Sequence, residues 1–157
     1  MKELWSATWL LALLLAGTIP ADAQPNARTK AYNVSKFALA IEGFDPVAYF
    51  ITGKAVRGSK NLAVSHQGIV YYFANKQNRE LFKTNAAKYE PQYGGWCAYA
   101  MGATGEKVEV DPETFKIKDG KLFLFYHSWT NNTLTKWNKA EAALKTNADL
   151  SWAKFYH

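Results

Sequence analysis

A chain of 157 residues with 48% hydrophobic, 15% aromatic and 20% charged side chains is long enough for one folded domain and too apolar for a disordered one. Its formal charge of +6 comes from lysines spread along the sequence. They form no dense Lys/Arg cluster, which argues against a nucleic-acid-binding surface and for a solvated basic one.

The chain opens as a leader. Lys2 precedes the short apolar run from Trp9 to Ala16, and Ala21, Asp22 and Ala23 match a small-x-small cleavage pattern. Residues 1–23 are therefore read as a signal peptide cut before Gln24, the run being shorter than the roughly 20 residues of a membrane span. The expectation is an exported protein, periplasmic or secreted, with no stable membrane insertion after cleavage. Removing Lys2, Glu3 and Asp22, a net −1, leaves the mature part at +7. The single cysteine, Cys97, excludes an internal disulfide, so stability falls to the core.

Residues 24–32 are polar and contain Pro25, and are read as a disordered lead-in to a single domain over 33–155. Phe37 to Ile41 is an apolar run. Asp45 followed by Pro46 reads as a helix start, with Val47 and Phe50 or Ile51 turned inward and Gly53 ending the turn. Leu62 to Ser65 and Ile69 to Phe73 flank His66-Gln67-Gly68 as a hairpin. Asn75 is a cap for a helix over 76–83, which turns Asn78, Leu81 and Phe82 to one side. A short turn at 86–89 closes before Pro91. Further on, Lys107 to Val110 alternates as a half-buried strand, and Asp111-Pro112 reads as a turn. Asp119-Gly120 between Thr114–Lys118 and Lys121–Tyr126 is a strong hairpin signal. Trp137, Ala140, Ala143 and Leu144 recur at helical spacing, giving a helix over 134–145, and Trp152 and Phe155 belong to a final short helix packed back on the sheet. These elements make an α+β fold: a small mixed or antiparallel sheet from two hairpins with helices packed on one side.

Chemistry concentrates between Tyr89 and Gly102. This stretch holds Cys97 and Met101, four residues apart, with Gly94 and Gly95 before them and Tyr93, Trp96 and Tyr99 around them. On a helix, positions four apart share a face. Thiolate and thioether are soft ligands suited to Cu(I), and His66 and His127 are the candidate supporting ligands. The same cysteine also reads as a small buried hydrophobe, and the methionine as a gap-filler. Tyr72, Tyr93, Trp96 and Tyr99 are candidates for an aromatic cleft, or for core. His66 sits in a turn, His127 ends an apolar strand, and Asp45 reads as a cap before it reads as an acid. Glu106, Glu109, Asp111 and Glu113 form a solvated acidic stretch that matches no calcium loop. The chain shows no Ser-His-Asp arrangement, phosphate loop or HExxH motif, so the reading leans away from an enzyme.

Glu42 to Phe50, with its Phe44-Asp45-Pro46-Val47 core, and Val70 to Asn75, followed by Leu81-Phe82 and Lys88-Tyr89, resemble the YHS domain. Gln92-Tyr93-Gly94-Gly95-Trp96-Cys97-Ala98-Tyr99-Ala100, Asp119 to Leu124 and Ala148 to Trp152 resemble an exported, selenoprotein-like branch of that family. The likeness runs from about Asn33 to Lys154. It implies a treble-clef-like module with a C-terminal hairpin and helices, and heavy-metal binding with copper as the usual ion. The chain departs from the thiolate-bearing members, whose cysteines fall at positions held here by Ala48, Ala74 and Asn78. Three functions follow. One is soft-metal binding without catalysis through Cys97, Met101 and a histidine. Another is thiol redox chemistry of Cys97 with the thiol of an external partner protein. The third is an interaction module whose aromatic cleft takes a small ligand or partner while the cysteine is structural.

Overall fold

The computed structural model describes residues 27–155. The expected signal peptide and cleavage point lie outside the described residues, as do residues 24–26 of the expected lead-in. The remainder of that lead-in corrects the expectation of disorder: Ala27–Ala31 form helix α1. The reason is a buried ion pair. Arg28 Nη2 lies 2.6 Å from Glu90 Oε1, both side chains being nearly enclosed. Tyr71 donates its hydroxyl to the same Glu90 oxygen (2.7 Å), and Arg28 also donates to Tyr32 Oη (2.8 Å). Burial first, and then the Glu90 charge, pushes the Tyr71 hydroxyl far above its ordinary range, so it remains a donor.

After the loop from Val34 to Ala40, a buried turn leads into helix α2 (Ala48–Ile51). Phe50 turns inward and Ile51 outward, 60% exposed. Strands β1 (Ser59–His66) and β2 (Ile69–Phe73) form the first antiparallel hairpin, in which His66 pairs with Ile69 across Gln67 and Gly68. Helix α3 (Lys76–Thr84) starts at Asn75, whose side chain accepts the Asn78 N–H (2.8 Å), and Asn85 separates it from α4 (Ala86–Tyr89). A tight turn over Gln92–Gly95 then leads to Cys97 and helix α5 (Ala98–Ala103).

The second hairpin joins β3 (Asp111–Lys118) to β4 (Lys121–Phe125) through Asp119 and Gly120, both at positive φ, as the Asp-Gly pair requires. A two-residue ladder, β5 (His127–Ser128) with β6 (Asn131–Asn132), precedes α6 (Thr133–Lys139) and α7 (Glu141–Ala153). The fold is α+β. Its strands form three separate two-stranded antiparallel sheets among the described residues, not one joined sheet.

Three local readings change. Residues 107–110 form no strand; Val108 gives its carbonyl to the Cys97 N–H (2.9 Å). Asp111-Pro112 lies within β3, where the ladder shifts register before Phe115 and Asp111 accepts the Glu113 N–H (3.0 Å). The helix expected over 134–145 breaks at Ala140 (φ −146°, ψ 35°) and resumes as α7, which takes in Trp152. Trp152 packs edge-on to Tyr32 (5.8 Å) and over Gly94, with Phe155 against it (6.0 Å). A β-carbon at Gly94 would come within 2.6 Å of the Trp152 ring, so only glycine admits this approach.

Strand β4 explains how the parts cohere. Leu122 and Leu124 pack into one core with Val47, Tyr49, Ile69, Tyr71, Phe73 and Phe82. Phe123 and Phe125 pack into another with Tyr93, Ala98, Met101 and Trp137. Alternate residues of a strand point to opposite faces, so β4 is a wall between two cores, and a wall buried on both sides reads as an unbroken apolar run. Helices α5 and α7 close the second core at very short range: a β-carbon on Gly102 would lie 2.3 Å from the Leu144 carbonyl oxygen. Among the described residues no helix is long and apolar enough to cross a membrane.

Candidate functional site

Cys97 is placed by backbone that few residues adopt. Tyr93, Gly94 and Gly95 have φ of 54°, 59° and 86° in succession, which turns the chain sharply before Trp96. Tyr93 carries this strain because it is locked in place. Its ring is buried and its hydroxyl donates to Asp149 Oδ1 (2.9 Å). Burial and this carboxylate hold the Tyr93 hydroxyl well above its usual range. The Trp96 indole N–H donates to the Ala31 carbonyl (2.7 Å), so α1 also pins the turn.

The sulfur of Cys97 is fully buried. It accepts the Tyr126 N–H (3.3 Å) and lies 3.4 Å from Thr133 Oγ1. Thr133 gives its one hydroxyl proton to the Tyr126 carbonyl (2.7 Å), so its oxygen is left to accept the thiol proton. Thiol, hydroxyl, carbonyl and amide close a ring of hydrogen bonds running from Cys97 through Thr133 to Tyr126 and back. Both roles of the sulfur are taken inside the fold. Thr133 and the Tyr126 amide were missed by sequence reasoning, because a hydroxyl and an amide 36 and 29 residues away carry no local signal.

Of the other candidate ligands, the two histidines have neighbours of their own. Met101 is fully buried among the aromatic rings of the second core. His66 is half-buried, its ring edge-on to Phe82 of the first core at 5.9 Å. His127 follows Tyr126, but its Nδ1 is held by Thr114 Oγ1 (3.0 Å) with Asp111 Oδ2 at 3.5 Å. Among the described residues no group of three or more His, Cys, Asp and Glu side chains stands close enough to hold a metal ion.

Of the aromatic candidates, Tyr93, Trp96 and Tyr99 pack on the second core and Tyr72 stands apart. Tyr72 lines a groove on the outer face of the first hairpin with Phe37, Lys60, Ala63 and Val70. Tyr93 borders a different recess with Tyr32, Glu90, Asp149 and Trp152. Trp96 faces the Lys107 ammonium (5.8 Å), and Tyr99 that of Lys136 (5.9 Å).

A second buried polar centre lies across β4. Asp45 is fully buried. One carboxylate oxygen accepts the Val47 (2.8 Å) and Ala48 (3.2 Å) N–H groups, as a cap does. The other accepts the Ala74 N–H (2.9 Å) and the Asn78 side-chain amide (2.7 Å). Capping was legible in the sequence; the tie to β2 and α3 was not. The positions of Ala48, Ala74 and Asn78 thus converge on one carboxylate. Compared with family models, curated proteins and solved structures, the chain has no match.

Proposed function

We propose that this is an exported, non-catalytic binding module in which Cys97 is a structural residue and recognition takes place on the surface. One observation carries the reading: the only thiol of the mature chain is enclosed, with its donor and acceptor roles both satisfied by Thr133 and Tyr126. A reactive cysteine needs an accessible thiolate, and an inert one is buried. The resemblance to the YHS domain enters as part of this proposal. It is supported by the meeting of positions 48, 74 and 78 about Asp45, where hydrogen bonds to a carboxylate stand in place of thiolate ligands.

Alkylation tests the reading. In the folded protein Cys97 should react with iodoacetamide orders of magnitude more slowly than in urea, and Cys97→Ser should keep the fold. Reaction at the unfolded rate would overturn it.

The polar neighbours of the sulfur favour a second reading, thiol chemistry after local opening. A soft ion or a partner thiol would then meet a sulfur already served by the Tyr126 N–H. Its signature is stoichiometric Cu(I) uptake, or a mixed disulfide, that Cys97→Ser abolishes.

A further inference from the structure

The loop from Val34 to Ala40 is a miniature hairpin. An antiparallel bridge joins its ends, and the Ser35 N–H donates to the Leu39 carbonyl (2.9 Å). A second bridge, Leu39 to Val70, and the Ala40 N–H donating to the Val70 carbonyl (2.9 Å) fasten it along β2. At its tip Phe37 and Ala38 have φ of 62° and 57°, the left-handed region that hairpin turns reserve for Asn and Gly. Phe37 is also 91% exposed. A strained turn that presents a bare aromatic ring to water gains nothing in stability from that ring; strain of this kind is retained where the surroundings enforce it, often at functional sites.

The ring stands over an apolar face. In β2 buried and half-buried residues alternate, so Val70 and Tyr72 face away from the core. With Ala63 and Lys60 of β1 and with Phe37 they line a groove of about 350 Å³. No carboxylate lines it. Lys36 is exposed beside Phe37, and neither Lys36 nor Lys60 is paired with a carboxylate among the described residues. Glu42 and Glu109 border a separate recess beside the same loop, shared with Ser35 and Leu39.

We propose that this face docks on the surface of an anionic lipid bilayer, with Phe37 inserted at the headgroup level and Lys36 and Lys60 toward the phosphates. The proposal deepens the binding-module reading by naming the partner, and it rests on that reading. An exposed aromatic flanked by lysines is the composition that interfacial anchoring uses. The chain's charge of +6 adds long-range attraction to an anionic surface, and the same charge opposes a second copy as the occupant.

The test is flotation of the exported form, beginning at Gln24, with vesicles of phosphatidylglycerol and phosphatidylcholine or of phosphatidylcholine alone. Binding to the anionic vesicles only, weakened by salt, is the expected result. Phe37→Asn, which suits the turn, should weaken binding about tenfold or more, as the loss of one buried aromatic implies. Lys60→Glu should weaken it about fivefold or more, and Cys97→Ala should leave it unchanged. No binding to anionic vesicles, or undiminished binding by Phe37→Asn, overturns the proposal. So does a concentration-dependent dimer that Phe37→Asn dissolves, which would make a second copy the occupant. None of these outcomes bears on the burial of Cys97, which alkylation reads separately.

Discussion

The two cores on either side of β4 each have a buried polar centre beside them, Asp45 by the first and Cys97 by the second, and the two centres are handled differently. In the first, Asp45 brings a full carboxylate into the interior and surrounds it with four donors, from Val47 and Ala48 at the start of α2, from Ala74 just after β2 and from Asn78 in α3. In the second, Cys97 brings a weakly polar thiol that needs only Thr133 and one amide. A buried carboxylate is tolerable only when hydrogen bonds replace its water, so its partners must be placed accurately. A thiol behaves as a small hydrophobe with a weak donor and asks much less. The first core is therefore pinned by polar geometry, the second mainly by packing.

Substitutions at both centres test this contrast. Asp45→Ala should be the most damaging, because it strands four donors at once; a loss of about 4 kcal/mol in urea unfolding is expected. A loss below about 1 kcal/mol would remove Asp45 as the centre of its core. Next comes Gly102→Ala, where the new methyl group meets the Leu144 carbonyl. Separation of α5 from α7 should cost about 3 kcal/mol, read from the same denaturation. Cys97→Ala should cost about 2 kcal/mol and Cys97→Ser less, since serine can serve both partners. If serine were as harmful as alanine, the hydrogen-bonded ring would be idle.

Smaller effects lie at the periphery. Phe37→Asn should raise stability by about 1 kcal/mol by relieving the left-handed strain, while harming vesicle binding. Glu141 offers the mildest test. Hydrogen bonds from Lys116 and the Trp137 indole hold its carboxyl below the ordinary range. A lowered folded value means that the stabilisation is present above the ordinary glutamate range and is lost as pH falls through the lowered one. Glu141→Gln should thus lower the melting temperature slightly at neutral pH and leave it unchanged in acid below that value.

Much of the local structure was legible because its causes are local. Asp119-Gly120 specified its turn, Asn75 its cap and the β-branched and aromatic run from Ile69 to Phe73 its strand. The run of apolar residues in β4 identified a strand but not its place as a wall, since burial on both faces erases the alternation that would reveal which side is which. Cys97 and Met101 were singled out as neighbours on a helix face; Met101 turned into the aromatic core while Cys97 was taken up by a hydroxyl from α6. The four candidate ligands were chosen by chemistry, and chemistry alone carries no distance. Arg28 was passed over in a polar lead-in because its partner Glu90 lies 62 residues away.

By itself, then, the amino-acid sequence determined the α+β class, the turns, the caps and the singular position of Cys97, since each depends on residues within a few positions of one another. Tertiary structure alone decided that two cores share β4, that Asp45 ties three elements together, that the sulfur is closed off by Thr133 and Tyr126, and that Phe37 stands bare on an apolar face. Those outcomes depend on contacts between residues distant in the chain, whose meeting is set by how whole elements pack.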